Sequence, residues 1–310
     1  MRVGIVYGGT SSEAEASRKN AMAVEAALKT EGYAVCMLEY QQNMIETIRK
    51  SYIDIVYLCV QGKHHGDGTL QAMLTHEQIP YTGSGAETAM VMNNKILCKL
   101  LFEYYAIPTP KWKILHKDAF CQGGFDFNEI GFPFVAKAPS QGGSYGIELV
   151  RTPADLDRLD KVFCYDDPIL LEEYVEGKFY TVGLLERAGR LVTLKCVEGV
   201  APASKEMILF TGAYDIAVPK LAESCLDEME MLAGNIFRYI GARDVARVDF
   251  MVSDRTQRPY MLEMNAVPGL KRDSLLPKAA VYSGMRYEDV ISGILISAWG
   301  RRADPKCLKT

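Results

Sequence analysis

Three short apolar runs near the N-terminus, two of them separated by a helical segment, constrain the fold more than any other feature of this sequence. The runs are RVGIVY at 2–7, AVCMLE at 34–39 and DIVYLCV at 54–60, and the segment 11–30 is rich in Ala, Glu and Lys with helical spacing. Short, almost entirely apolar runs are typical of strands that are buried on both faces of a sheet. Because parallel strands need a crossover between them, this order predicts a parallel sheet covered by helices.

Polar side chains alternate with apolar ones in the stretch ARVDFMVSDRTQRPYMLEMNAVPG, where two predicted strands flank SDRTQR. Successive side chains of a strand point to opposite faces. We therefore expect Arg247 and Asp249 to share one face of the first strand, and Met261, Glu263 and Asn265 to share one face of the second.

The hairpin connection predicts which of these side chains oppose each other. If Ser253 pairs with Pro259, a five-residue loop joins the strands and Asp249 lies opposite Glu263. Directly opposed carboxylates repel, so a positive group is expected between them. Arg247 is one candidate, but carboxylate and amide oxygens also suit Mg²⁺. The alternative is a solvated polar face of the sheet.

A glycine-rich loop follows a strand that carries a lysine. In FVAKAPSQGGSYGI (134–147), Lys137 lies in a predicted buried strand, and the loop leads into a second strand. Successive backbone N–H groups in such a loop can cradle phosphates, while a lysine supplies a point charge. A flexible surface hairpin is the alternative, but a lysine in a buried strand favours the phosphate interpretation.

A second glycine turn, GGTSSEAE at 8–15, joins the first strand to the first helix. Helix N-termini favour anions. The turn lacks the GxGxxG spacing of a dinucleotide site, which argues against an NAD-dependent dehydrogenase. Glu13 either complements the helix macrodipole or points into a crevice, where its carboxylate would hold a substrate ammonium.

Composition excludes several classes of protein. The net charge is −4, so we expect no general affinity for nucleic acid or for anionic membranes. No apolar run approaches the roughly 18 residues of a membrane span, and the pattern MRVGIVYGGT does not predict a signal peptide. Eight cysteines without a CxxC pair argue against a zinc site and predict reduced thiols in a cytoplasmic protein.

Several segments, in order along nearly the whole chain, resemble the D-alanine–D-alanine ligases of the ATP-grasp superfamily. They are YGGTSSEAEAS, GDGTLQAML, IPYTGSG, Lys95 in its helix, Lys137 before the glycine-rich loop, ARVDFM, and MLEMNAVPGL followed by SLLP. Some of these are weak alone, but IPYTGSG together with RVDF and LEMNAVPG is a specific combination.

The resemblance implies an α/β chain with a three-domain ATP-grasp fold and an N-terminal Rossmann-like parallel sheet. The expected units are an N-terminal α/β substrate domain (1–90), a central ATP-grasp subdomain (91–180) and a C-terminal ATP-grasp subdomain with the metal site (181–310). The implied reaction is the ATP-dependent ligation of two D-alanines through an acyl phosphate, for peptidoglycan precursor synthesis. The implied assembly is a cytoplasmic homodimer that acts on small amino-acid substrates.

The resemblance also implies a set of site residues. The implied ATP-binding residues are Lys95, Lys137, Ser144, Glu172, Val175 and Lys205. The implied metal ligands, for two Mg²⁺ ions that Mn²⁺ can replace, are Asp249, Glu263 and Asn265. The implied catalytic residues are Glu13, Ser144, Arg247 and Gly269. The implied substrate-binding residues are Glu13, Ser274 and Leu275, with Glu13 on the first ammonium and the other two on the second carboxylate.

This chain departs from the family pattern mainly on the substrate side. The departures are Gln61, Gly66, Gly143, Phe179 and Asp273, where the family usually has His, Glu, Ser, an acidic residue and His. Lys271 and Arg272 add positive charge, which led us to the hypothesis of an acidic second substrate. Two alternatives therefore stay open: a related ligase that joins or cyclises another amino acid, and a nucleotide-binding protein without ligase activity.

Overall fold

The computed structural model describes residues 1–200 and 215–301. The N-terminal strands are β1 (Arg2–Tyr7), β2 (Ala34–Glu39) and β3 (Ile55–Leu58), and the helices that accompany them are α1 (Ala14–Thr30), α2 (Met44–Lys50) and α3 (Thr69–His76). The strands form a parallel sheet in the order β2-β1-β3, as the apolar runs predict. Ile5 and Val6, whose side chains point to opposite faces of β1, are both fully buried, so both faces of this strand are covered.

The sequence pattern after α3 predicts a strand over 79–85 and one long helix over 87–105, and both predictions are wrong. Residues 79–85 form only one isolated bridge, between Tyr81 and Val56, instead of a strand. The single long helix expected over 87–105 is two helices, α4 (Ala86–Met92) and α5 (Lys95–Tyr104). Asn94 causes the break, because its side-chain oxygen accepts hydrogen bonds from the backbone N–H groups of the two residues that follow Lys95, at 3.0 and 3.2 Å, and so caps a new helix.

The central sheet is antiparallel. Its strands are β4 (Trp112–Leu115), β5 (Phe134–Lys137), β6 (Ile147–Val150) and β7 (Ile169–Glu173), and its short helices are α6 (Lys117–Cys121) and α7 (Leu159–Phe163), with 3₁₀ turns at Phe127–Glu129 and Pro153–Arg158. The strand order is β4-β7-β5-β6, so β5 lies inside the sheet. Aromatic side chains fill the core beneath it, including Phe127 and Phe134, which stack with ring centroids 5.9 Å apart.

The third sheet is also antiparallel. Its strands are β8 (Gly177–Arg187), β9 (Arg190–Thr193), β10 (Val197–Val200), β11 (Asp215–Ala217), β12 (Val245–Ser253) and β13 (Pro259–Asn265), and the helices of this part are α8 (Glu223–Tyr239), α9 (Leu275–Tyr282) and α10 (Tyr287–Arg301). The order is β11-β10-β8-β12-β13, and β9 pairs with β8. Residues of β1, α1, α9 and α10 share one hydrophobic core, so the first and third sheets are packed together.

The β12–β13 hairpin has the predicted pairing at its far end and a different one near its turn. Asp249 lies opposite Glu263, as predicted. Ser253 does not pair with Pro259, because Val252 takes that place. The register shifts by one residue between the two pairs, which is a β-bulge.

The bulge changes which side chains share a face. Met261 is fully buried in the hydrophobic core, whereas Leu262 and Glu263 both line a cavity. The prediction that Met261 lies on the same face as Glu263 is therefore wrong. A bulge inserts an extra residue that alternation cannot reveal. Bulges are frequent beside active sites, where they redirect a side chain.

No helix within the described ranges is long and apolar enough to cross a membrane. The seven cysteines of these ranges form no disulfide.

Candidate active site

One cavity of about 730 Å³ lies where the three sheets meet. The predicted site residues that line it are Glu13, Lys95, Lys137, Ser144, Glu172, Val175, Arg247, Asp249, Glu263, Asn265, Gly269, Ser274 and Leu275. Lys205 lies outside the described residues. These side chains come from segments more than 200 residues apart in the chain, and the fold brings them to one surface.

Asp249 is fully buried and accepts four hydrogen bonds. Arg247 donates two of them, from Nε to Oδ1 at 2.9 Å and from Nη2 to Oδ2 at 2.6 Å. Thr181 of β8 donates its hydroxyl to Oδ1 at 2.7 Å, and Asn265 donates its amide to Oδ2 at 3.2 Å. The carboxylate therefore fixes the plane of the Arg247 guanidinium.

Glu263 is held by Lys95 rather than by Arg247. The Lys95 ammonium lies 3.2 Å from Glu263 Oε2 and also donates to the carbonyl of Gln141 at 2.6 Å. Burial acts to raise the pKa of Glu263, but Lys95, Lys137 and Arg247 outweigh it and lower that pKa to about 2. Burial likewise acts to lower the pKa of Lys95, and the Glu263 carboxylate reverses this, so the net shift is upward. The opposed carboxylates thus have cations beside them, as their pairing predicts.

Oxygen donors suited to Mg²⁺ lie together on this face. The described residues contain no group of three or more His, Cys, Asp or Glu side chains arranged for a metal ion. The candidate set has two carboxylates, Asp249 and Glu263, with the Asn265 amide as third donor. Such a set fits a hard cation that keeps water and phosphate oxygens as its other ligands. A half-turn of the Asn265 amide would exchange its N–H₂ for its oxygen on this face.

A lysine–glutamate cluster, which we define as Lys99, Glu172 and Lys137, forms part of the cavity wall: Lys137 and Glu172 line the cavity, and Lys99 lies behind them. Lys137 forms an ion pair with one carboxylate oxygen of Glu172, and Lys99 with the other. Burial acts to raise the pKa of Glu172, but the two lysines outweigh it and lower that pKa. The side chain of Glu172 thus contacts lysines, and residues 172–175 line the cavity. Sequence pattern alone assigns no role to Lys99, although its position one turn after Lys95 and beside apolar residues indicates a buried charge.

The glycine-rich loop crosses from the central sheet to the N-terminal part. Ser12 donates its hydroxyl to the Gln141 side chain at 3.0 Å. Gly142 approaches Glu13 so closely that a Cβ atom at this position would collide with the carboxylate. Ser144 has a φ of +65°, a conformation that residues other than glycine seldom adopt. The loop therefore lies against the start of α1 and closes one side of the cavity.

Glu13 is the residue before the first turn of α1, and its side chain makes no capping hydrogen bond. Burial raises its pKa, with Lys95 opposing, Glu263 adding to the rise and Arg247 opposing. The geometry places this carboxylate in the cavity wall, as required for holding an ammonium group.

Gln61, one of the family departures, organises the loop that contains Gly269. Its amide donates to the carbonyl of Val267 at 2.6 Å and accepts from the Asn20 amide at 3.2 Å. Asn20 also accepts from the backbone N–H groups of Leu270 at 2.9 Å and of residue 271 at 3.2 Å. Sequence reasoning missed Asn20, because its partners lie 250 residues away in the chain.

Other departures have local structural explanations. A side chain at Gly66 would collide with the carbonyl of Val60, so a glutamate does not fit this loop. Phe179 is buried against Leu275 in a small apolar cluster. Arg272 points away from the cavity, since it pairs with Glu288 and stacks on a tyrosine ring. This removes Arg272 from the hypothesis of an acidic second substrate.

Comparisons with known protein families, sequences and structures all find D-alanine–D-alanine ligases. A family model described as the D-ala D-ala ligase C-terminus matches residues 101–296. The D-alanine–D-alanine ligase of Pelotomaculum thermopropionicum is 31% identical over 95% of this chain and 96% of that protein. The ligase of Carboxydothermus hydrogenoformans is 33% identical over 96% and 97%. The crystal structure of the Bacillus anthracis D-alanine–D-alanine ligase in complex with ATP has a TM-score of 0.82 and 27% identity, covering 97% of this chain and 98% of that one.

These similarities extend over nearly the full length of the chain. They confirm the α/β ATP-grasp fold with its N-terminal parallel sheet. The chain belongs to the D-alanine–D-alanine ligase family.

Proposed function

We propose that this protein joins two molecules of D-alanine, with ATP as the phosphoryl donor, for peptidoglycan precursor synthesis. The observation that carries the proposal is the single cavity in which Glu13, Lys95, Lys137 and Gly269 meet. It offers an anion for an amino group at one place and cations for a triphosphate beside it. A carboxylate and a γ-phosphate bound there would be neighbours.

In the first step, Glu13 binds the ammonium group of the first D-alanine. A carboxylate oxygen of that D-alanine attacks the γ-phosphorus, the bond from this phosphorus to the β,γ-bridging oxygen breaks, and ADP leaves. The product is an acyl phosphate. Lys95 and Lys137 offset charge on the transferring phosphoryl group, which is mainly electrostatic work.

In the second step, the neutral amine of the second D-alanine attacks the carbonyl carbon of the acyl phosphate. The nitrogen loses a proton and inorganic phosphate leaves, so a dipeptide remains. Arg247 and the backbone N–H of Gly269 stabilise the negative oxygen of the tetrahedral intermediate. Ser274 and the N–H of Leu275, at the start of α9, bind the second carboxylate.

Asp249, Glu263 and Asn265 would hold Mg²⁺, or Mn²⁺ in its place. When bound, the cation neutralises phosphate charge and orients the triphosphate. The three residues supply oxygens from two adjacent strands, β12 and β13. We also propose the domain limits 1–90, 91–180 and 181–310, and a cytoplasmic homodimer as the working assembly.

A ligase for a different amino acid is the second candidate. It is favoured by the substrate side of the cavity, where Lys271 lies 3.2 Å from the Asp273 carboxylate. Lys271 and Asp273 line the cavity near Ser274, so they can alter which side chain fits there.

The experiment is to measure ADP release by the purified protein with Mg²⁺ and ATP. D-alanine, L-alanine and mixtures of D-amino acids are compared, and the products are identified by mass. ADP and D-alanyl-D-alanine formed together support the main proposal. ADP formed only with another amino acid supports the second candidate. MgATP binding without ADP release under any mixture would contradict both.

A further inference from the structure

Lys99 is a fully buried lysine that does not reach the cavity. It lies on α5 with an exposed fraction of 0%. Charged side chains are seldom buried to this extent unless they are paired. Its ammonium contacts the Glu172 carboxylate and the Thr109 hydroxyl, and it donates to the carbonyl of Met261 at 3.4 Å.

These contacts join the two sheets that enclose the nucleotide side of the cavity. Glu172 belongs to β7 of the central sheet, whereas Met261 belongs to β13, next to the bulge. Thr109 strengthens the link, because its hydroxyl donates to the same Met261 carbonyl at 2.7 Å. Lys99 is therefore held in place from both sides.

The lysine–glutamate cluster has two cations for one carboxylate. Lys137 lines the cavity and is the member that can reach a phosphate, while Lys99 lies behind it. If Lys137 moved to a phosphate, Glu172 would keep Lys99 as its partner, and a neutral buried pair would remain. Without Lys99, the same movement would leave a lone buried carboxylate, which is strongly unfavourable.

We propose that Lys99 is a positioning residue, the permanent counterion of Glu172, which frees the Lys137 ammonium to bind a phosphate of the nucleotide. The proposal rests on the proposed function in one respect, that Lys137 binds the triphosphate. Burial lowers the pKa of Lys99 although Glu172 acts in the opposite direction, which is consistent with a lysine whose charge depends on this one acid.

A double-mutant cycle tests the proposal. The dissociation constant for MgATP is measured by titration calorimetry, without amino acids, for the parent, Lys99→Met, Glu172→Gln and the double variant. Lys99→Met is expected to weaken MgATP binding about tenfold or more, because Glu172 then competes for Lys137. In the Glu172→Gln background the same substitution is expected to change binding by about twofold or less, because no acid needs a counterion.

Two further variants distinguish the charge of Lys99 from the hydrogen bonds that hold its side chain in place. Thr109→Val removes a contact of Lys99 but leaves all charges, so we expect a much smaller loss of MgATP affinity than with Lys99→Met. Lys113→Met removes an exposed lysine of the central sheet and is expected to leave binding unchanged. For active variants, we expect Lys99→Met to raise the KM for ATP while kcat at saturating ATP stays within about threefold of the parent.

Three results would overturn the proposal. The first is unchanged MgATP binding by Lys99→Met. The second is an equal loss of MgATP affinity when Lys99→Met is introduced into the parent and into Glu172→Gln. A loss with Thr109→Val as large as with Lys99→Met is the third. If Lys99→Met does not fold, the comparison of Glu172→Gln with the double variant decides: a large difference overturns the proposal and a small one supports it. A parent that binds no ATP contradicts the proposed function and this inference together, whereas dipeptide formation with any of the three results above contradicts this inference alone.

Discussion

Asp249 holds Arg247 through two hydrogen bonds of 2.9 and 2.6 Å, one to each carboxylate oxygen, between residues two positions apart on one strand. Asp249→Asn would replace one charged acceptor by an amide and lose this alignment, together with a carboxylate that we propose as a metal ligand. We expect kcat for ADP-coupled dipeptide formation to fall by about a hundredfold or more, the size of effect seen when an oxyanion contact is removed. Steady-state kinetics over a range of Mg²⁺ concentrations would measure it.

Thr181→Val is the control for this variant, because it removes one hydrogen bond from Asp249 and keeps the charge. We expect a loss of about tenfold, which corresponds to roughly 1.4 kcal/mol and is near the lower end for one hydrogen bond to a charged group. Equal activity of Asp249→Asn and the parent would contradict the role given to the Asp249–Arg247 pair.

Gly142→Ala tests the contact between the glycine-rich loop and Glu13. An added Cβ would displace the Glu13 carboxylate, so we expect the KM for the first D-alanine to rise by about tenfold, a change of roughly 1.4 kcal/mol, with little change in the KM for ATP. Gly124→Ala is the matched control, since a Cβ there would meet its nearest neighbour, the Ala119 carbonyl oxygen, at an ordinary 3.6 Å. A rise in the KM for ATP alone would show that the loop serves only the nucleotide.

Asn20→Ala tests the loop that contains Gly269. The substitution leaves two backbone N–H groups without their acceptor, at Leu270 and at residue 271. We expect it to lower the free energy of unfolding by about 1–3 kcal/mol. We also expect kcat to fall by a larger factor than the factor by which the KM for ATP changes. Thermal unfolding and steady-state kinetics would check the two effects. Full stability with full activity would show that the loop holds its position without Asn20.

The low pKa of Glu263 predicts a pH dependence of stability. Its value of about 2 in the folded protein lies below the ordinary 4.5, so folding favours the ionised form. The contribution to stability is complete above pH 4.5 and is lost as the pH falls toward 2, at up to about 1.4 kcal/mol per pH unit. We expect the unfolding free energy of the parent to fall more steeply below pH 4.5 than that of Glu263→Gln. Denaturant titrations at several pH values would show this, and parallel curves would contradict it.

The predictable parts of the fold and the site are those that local pattern determines. Apolar runs are enough to predict the parallel sheet. The pairing of Asp249 with Glu263 is correct, but it was derived from Ser253 opposite Pro259, a pair that does not form, and the one-residue shift at the bulge makes up the difference. Alternation could not reveal the bulge at Leu262, because an inserted residue has no periodic signature. Asn94 indicates the start of a second helix, since asparagine favours helix N-caps. The apolar spacing on both sides of Asn94 nevertheless predicts one continuous helix.

The remaining residues of the site could not be predicted from the sequence because their partners are distant in the chain. Lys99, Asn20 and Thr181 act on residues that are distant in the chain, and their roles became visible only from the folded arrangement. The charge of Arg272 was visible in the sequence, but its direction depends on Glu288, which lies one helix further on.

The crossing of the glycine-rich loop onto α1 has a thermodynamic consequence. The same short loop touches Glu13, the residue proposed to bind the amino acid, and its residues 142–145 also line the cavity proposed to bind ATP. A ligand that orders this loop from one side lowers the entropic cost of binding on the other. We therefore expect the affinities for ATP and for the first amino acid to be linked, and the factor by which each strengthens the other must be the same in both directions.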